Sequence, residues 1–274
     1  MEVHHHPDMH NIKNHWKRYF LEFLMIFLAV TLGFFAESFR EHILEKKHIH
    51  SYMQQMIENL KFDLTRCENA LKYNINSSLK LDSLRYEIDN AANGEVHANR
   101  LYYRYMSSGQ FSFVLFKQST IAQLKNSGNL RLIENKELLN EILEYYDRWI
   151  VAAKIYSDHL DNCSTELKQN GDNFFNLQYF DELIKRDTIF SYVPDIKLNN
   201  YLADIQNRKP PLVLINTNPT DLKKLNNKVS NVESALHNYN SFLRLDKNLA
   251  DTLIMHIQKE YNLKNELKTK NIFI

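Results

Sequence analysis

The first pattern along the chain is an unbroken apolar run, Tyr19 to Ala36, reading YFLEFLMIFLAVTLGFFA. From Phe23 onward the run carries no charge, and Glu22 is the one acid inside it. As a helix it is roughly 27 Å long, close to the ~30 Å hydrocarbon core of a bilayer. Trp16 and Tyr19 at one end, and Phe39 at the other, suit aromatic interface belts. A secretory signal is the main competitor, but the run is long for one and Ala36-Glu37-Ser38 makes a poor cleavage site. A core helix of a soluble protein seldom carries bulky residues around its whole circumference. The pattern predicts a retained transmembrane anchor over residues 16–40, behind a short polar tail, 1–15.

After the anchor the apolar positions recur at steps of three and four, the signature of amphipathic helices. Met53, Met56, Leu60, Leu64, Cys67, Leu71 and Ile75 mark one such stripe. No Gly or Pro interrupts Phe34 to Asn93, so the anchor is expected to run straight into a long stalk helix that stops at Asn93-Gly94. An aromatic stretch from Val96 to Phe116 follows, with Tyr102, Tyr103 and Arg104 on a short helix ending at Ser107-Ser108-Gly109; its rings read as core. Gln118 to Asn126 predicts a helix closed by Gly128 in the left-handed conformation. Leu130 and Leu132, alternating with Arg131, read as a brief extended link. Asn135 is a candidate N-cap with Glu137 in the first turn.

The next helix has a sustained heptad seam: Leu139, Ile142, Tyr146, Trp149, Ala153, Tyr156, Leu160, Cys163 and Leu167. It is expected to end before Gly171. A short helix is read around Tyr179 to Lys185, and Arg208-Lys209-Pro210-Pro211 breaks the chain ahead of an extended Leu212 to Ile215. Asn218-Pro219 supplies a cap followed by Pro at the first helical position. The helix after it shows a seam at Leu222, Leu225, Val229, Val232, Leu236, Tyr239 and Leu243. A separate last helix, Asp246 to about Leu267, is read with Ala250, Ile254, Ile257 and Tyr261 on one face. Residues 41–274 thus predict an all-α helical bundle domain, with a possible subdomain break near 171–218. The seams fit coiled coils between chains or antiparallel packing within one domain, and the latter is preferred.

Composition narrows the class further. Five Gly and five Pro in 274 residues leave few of the turns that an all-β fold needs. A formal net charge of +1 and the absence of a basic patch argue against a nucleic-acid partner. Lys13, Lys17 and Arg18 precede the anchor, and Arg40, Lys46 and Lys47 follow it, a nearly balanced set. Lys17-Arg18 abuts the apolar run directly. That favours a cytoplasmic N-terminus and a periplasmic C-terminal domain at a bacterial inner membrane.

Three phrases carry a resemblance: the start MEVHHHP, LMIFLAVTLGFFAESFREH (Leu24 to His42) and LKNSGNLRLIENKEL (Leu124 to Leu138). With these the chain resembles a family of functionally uncharacterised single-pass membrane proteins of Bacteroidetes. The resemblance spans the anchor and much of the following domain, and ends by about Phe174. It implies a true anchor and native histidines, and it brings no activity, cofactor or catalytic residue.

Candidate chemistry is sparse. Glu22, Ala29 and Gly33 share one side of the anchor helix, with Arg40 beyond them. Ala29-x-x-x-Gly33 is a small-xxx-small pattern that permits close helix approach, so this side is a candidate transmembrane packing face. Glu22 also lies four residues after Arg18, a spacing that lets the two pair on one helix face. Cys67 and Cys163 sit on apolar stripes of different helices and are a candidate disulfide outside the cytosol. Glu134, Glu137, Glu141 and Glu144 read as a solvated face, as do Asp158, His159 and Asp161. The tail histidines, His4, His5, His6, His10 and His15, have no folded scaffold to fix a metal's ligand geometry.

No P-loop, G-x-S-x-G, H-E-x-x-H or dinucleotide turn occurs, and an enzyme is not expected. No cofactor is expected either. The expected function is binding or scaffolding at the lipid bilayer, with a protein partner or self-association. The alternatives are an extracytoplasmic small-molecule sensor and, behind it, an enzyme of unfamiliar type. The roughly 18 residues ahead of the span are too few for an output domain, so a sensor needs a separate signalling partner. A hollow lined by Tyr145, Trp149 and nearby acids points to a ligand, whereas an exposed apolar strip points to a protein.

Overall fold

The computed structural model describes residues 12–179 and 204–263, with side chains from residue 16 onward. Among them all regular structure is helical. The uninterrupted helical pattern produces one 81-residue helix, α1 (Ile12–Ala92), about 120 Å long at 1.5 Å per residue. The expected fusion of anchor and stalk is therefore a single rod. It stops where expected, at Gly94 with φ 100°.

Then follow α2 (Ala98–Ser107), α3 (Ser119–Asn126), a 3₁₀ turn (Asn129–Leu132), α4 (Lys136–Glu144), a π turn (Tyr145–Trp149), α5 (Ile150–Gly171) and α6 (Pro219–Glu260). Gly128 is left-handed as predicted, with φ 71°. Asn135 caps α4 by accepting from the backbone N–H of Glu137 and Leu138. Asn218 does the same for α6 with Thr220 and Asp221.

Four readings of the sequence change. Leu130 to Leu132 is a 3₁₀ turn, not an extended link. The last two predicted helices are one, because α6 runs through Asp246 without a break. The π turn inserts an extra residue, so the inward positions of α4 and α5 become Ile142, Tyr145, Tyr146, Ile150, Ala153, Leu160, Ser164 and Leu167. Trp149, Tyr156 and Cys163 are thereby rotated towards the flank. On α1 the stripe drifts too: Leu64 and Leu71 are half-buried and Ile75 is 50% exposed.

The buried line of α1 is a strict three-four repeat: Met53, Met56, Leu60, Asp63, Cys67, Ala70, Asn74, Ser77, Leu81, Leu84, Ile88 and Ala91. The buried line of α6 keeps the same repeat from Leu222 to Ile257, with Asp246 in register between Leu243 and Ala250. The two helices pack antiparallel, as paired residues show: Asp89 with Asn226, Arg85 with Glu233, Asn74 with Asn240 and Glu68 with Lys247. α5 lies on the other flank of α6, joined by Lys228–Glu166 at 2.8 Å. The heptad seams are accordingly closed within one chain.

An extended strap, residues 109–118, lies along the α1–α6 groove. Its backbone polar groups lack a ladder and are met by side chains from the seam. Asn74 bonds both the N–H and the C=O of Ser112. Ser77 donates to the Gln110 carbonyl at 2.6 Å, and the Tyr239 hydroxyl accepts from Val114 N–H at 2.9 Å. Asp63 accepts from Lys117 N–H at 3.0 and 3.2 Å.

Two apolar clusters result. The one nearer the anchor joins Met53, Met56 and Leu60 to α3, α4 and the far end of α6. The distal one joins Leu81, Leu84 and Ile88 to α2, α5 and the start of α6, and takes in Phe174, Phe175, Ile205, Leu212 and Leu214. Leu212 and Leu214 are buried while Val213 and Ile215 are exposed, an alternation without a sheet. The predicted helix at 179–185 lies, past its first residue, outside the described residues.

At Gly171 a Cβ would stand 2.0 Å from the Tyr105 hydroxyl oxygen, which donates to the Lys168 carbonyl. Tyr105 is further held by stacking on Phe175 at 4.1 Å, so it cannot yield cheaply. Gly171→Ala is expected to destabilise the domain by roughly 1–3 kcal/mol in urea unfolding, the usual range for overpacking. Gly33→Ala, where a Cβ meets nothing within 4 Å, is the comparison expected to leave the midpoint unchanged.

Candidate functional site

Where the two apolar clusters meet, α1, α6 and the π turn bring five polar side chains into one layer: Asp63, Cys67, Tyr145, Tyr146 and Asp246. Asp63 and Asp246 are each only 1% exposed. The α1 heptad puts Asp63 and Cys67 on the inner line, and the α6 heptad does the same for Asp246. The π turn places Tyr145 and Tyr146, adjacent in sequence, both inward. Their rings meet edge to face at 5.1 Å.

The Asp246 carboxylate accepts from the Tyr145 hydroxyl at 3.4 Å, and the Cys67 thiol lies 3.9 Å from the same oxygen. Its other oxygen, Oδ1, and the Tyr146 hydroxyl are buried without a hydrogen-bond partner among the described residues. Burial pushes Asp246 up to about 7, with the charge of Asp63 adding to it and the Tyr145 bond opposing it. Burial likewise raises Asp63 to about 6, against the lowering effect of Lys117 N–H and of the Arg66 and Lys117 charges. Cys67 is raised to about 12 by burial and by the neighbouring acids, so it is an inert thiol, not a nucleophile.

The predicted site residues are not brought together. Glu22 pairs with Arg18 at 3.3 Å on the exposed N-terminal part of α1, as their spacing suggested. The side of the helix holding Ala29 and Gly33 is exposed and meets nothing among the described residues. The two cysteines are free, correcting the disulfide expectation. Cys67 faces Asp246 in the seam, whereas the π turn has moved Cys163 to the flank, 3.9 Å from His159 Nε2. Among the described residues no cluster of His, Cys, Asp or Glu is arranged to hold a metal. The tail histidines lie outside the described side chains.

Both discriminating features occur. A hollow of about 260 Å³ is lined by Glu141, Glu144, Tyr145, Trp149 and Leu253. A larger one, about 470 Å³, lies at the distal end between α2 and α5, with Tyr105, Met106, Leu167 and Lys168 in its wall. Exposed apolar strips run along α1 at Ile75, Leu79 and Tyr86, and on α5 at Val151 and Ile155.

Compared with models of protein families, with curated proteins and with solved structures, the chain matches none. The acidic layer escaped the sequence reading because Asp63 and Asp246 look like solvent positions. The signal was their phase: each sits on the three-four repeat of its helix, Leu60-Asp63-Cys67 and Leu243-Asp246-Ala250.

The folded-state values of both acids lie above their ordinary value of 3.8. The folded chain therefore holds more protons than the unfolded one between about pH 4 and 7, and stability falls as pH rises through that window. Urea unfolding should show a loss of roughly 2–4 kcal/mol from pH 4.5 to pH 8. In Asp246→Asn most of that slope should vanish, and the variant should be the more stable form at pH 8.

Proposed function

We propose that this chain is a single-pass, membrane-anchored helical scaffold that holds a partner protein, or a second copy of itself, at the lipid bilayer. The supporting observation is the continuity of α1. One helix supplies the apolar span, an outward-facing stretch to His48 and then the inner line of the bundle. The span passes the tests of length and apolarity for crossing a membrane, and none of it is buried. A rod of this kind fixes the bundle at a set height above the bilayer, which suits presentation of a surface better than enclosure of a reacting centre. The exposed Ile75–Leu79 strip is an apolar surface of the type partner helices use.

In this reading the N-terminus lies in the cytoplasm of a bacterial cell and the bundle outside the inner membrane, because Lys17-Arg18 abuts the span. Nucleic acid is not a partner, given the near-neutral charge, and no catalytic role is invoked. The second reading, an extracytoplasmic sensor acting through a separate signalling partner, draws its support from the 260 Å³ hollow lined by Tyr145, Trp149, Glu141 and Glu144.

Three measurements test these statements. A single Lys154→Cys on the exposed face of α5, with Cys67→Ala and Cys163→Ser, should react with an impermeant maleimide on intact spheroplasts; reaction only after lysis reverses the orientation. A photoreactive residue in place of Leu79 should give a discrete protein adduct in cells, and the absence of any protein adduct overturns the scaffold reading for this strip. If the second copy is the partner, Gly33→Leu should lower cross-linking between spans several-fold, whereas an unchanged yield assigns the contact to a different protein.

A further inference from the structure

Of the polar residues buried in the α1–α6 seam, Asn240 is paired with Asn74 across it, and the others divide into two kinds. Asp63, Asn74 and Ser77 are each bonded to the backbone of the strap, so their presence in the seam is explained by the groups they satisfy. Asp246 has no such duty. Among the described residues its polar partners are the Tyr145 hydroxyl and the Cys67 thiol, and its Oδ1 is buried without one.

Nor does a cation answer its charge. Of the basic groups around the layer, Lys247 turns outward to Glu68 at 2.7 Å. Arg66 donates to the Leu115 carbonyl and lies over the Phe62 ring at 4.4 Å. Lys117 also lies over that ring, 3.8 Å from its centre. From the remaining elements the layer receives Asp63 and Cys67 of α1, Tyr145 and Tyr146 of the π turn, and Tyr239 of α6, all neutral or acidic. An ionised carboxylate in such a place is expensive, and the cheaper state carries a proton. Protonation removes the charge, so the orphaned oxygen no longer carries the cost of an ionised group buried without a partner.

We propose that Asp246 is a proton-binding switch at the waist of the bundle: it holds a proton more tightly when the seam is closed and gives it up more readily when the seam opens to water. Opening then releases one proton, and the closed state is disfavoured as pH rises. The direction of the Asp246 shift agrees with this. The joint lies between the two apolar clusters, where α6 packs on the helix that also forms the span, so ambient pH sets how tightly the distal half is held to the membrane-proximal half. The device is independent of which partner the bundle holds.

The test uses the full chain in lipid nanodiscs at pH 6 and pH 8. At pH 6 the infrared spectrum should contain the carbonyl stretch of a buried protonated carboxyl. That band should lose its larger part in Asp246→Asn, the remainder belonging to the buried Asp63, and should persist in Asp63→Asn. Hydrogen exchange of the α1 amides around residues 60–70, corrected for intrinsic rate, should rise about tenfold from pH 6 to pH 8 in the native chain. In Asp246→Asn the rise should be lost. Absence of the band in the native chain, an undiminished band in Asp246→Asn, or an equal pH response in both proteins overturns the proposal.

Discussion

The fold rests on one antiparallel seam. α1 and α6 bury matching three-four lines, and α2, α3, α4 and α5 pack against the pair they form. A purely apolar seam of this kind tolerates slippage by a heptad, because one Leu layer resembles the next. Here the buried Asn74–Asn240 bond at 3.1 Å fixes the register, since a shift would strand two amides in the core. The same Asn74 holds Ser112 of the strap, so register and strap placement are set together. The ion pairs along the edges, such as Arg85–Glu233 and Lys247–Glu68, agree with that register, but pairs of their kind contribute little each.

The strap shows why the seam carries so many polar groups. Residues 109–118 form neither helix nor sheet, and their amides lie over an apolar groove. Without partners each would cost on the order of 1–3 kcal/mol. Side chains from α1 and Tyr239 stand in for the missing ladder. This arrangement ties a connecting segment to the long rod, and through it joins α2 to α3 along the bundle's length.

The sequence announced its helices well and its inward faces less well. The continuity of α1 followed from the absence of Gly and Pro, and the caps at Asn135 and Asn218 from local side-chain chemistry that tertiary packing does not override. The inner faces were misjudged where apolarity was used as the guide instead of phase. Leu64, Leu71 and Ile75 drew attention from Asp63, Ala70 and Asn74, one residue earlier in each case. Splitting α6 at Asp246 was the same error in another form. The π turn is a different matter: YYDRW carries no Gly, Pro or other local mark, and it brings Tyr145 and Tyr146 inward side by side while Ala153, Leu160 and Leu167 keep the inner line expected of them.

Phase also explains why Asp246 cannot be a bystander. A solvent position can hold Asp at no cost, but a position between Leu243 and Ala250 on the inner line cannot. Replacing buried charged groups by well-packed apolar residues of similar volume is often neutral or stabilising, so the presence of Asp246 is not explained by stability. Register does not explain it either, because Asn74 and Asn240 already supply that. Binding to the strap is excluded by its contacts, which are the Tyr145 hydroxyl and the Cys67 thiol. What distinguishes Asp from every apolar alternative at this position is that it can gain and lose a proton, and the layer around it is built of groups that favour the gain.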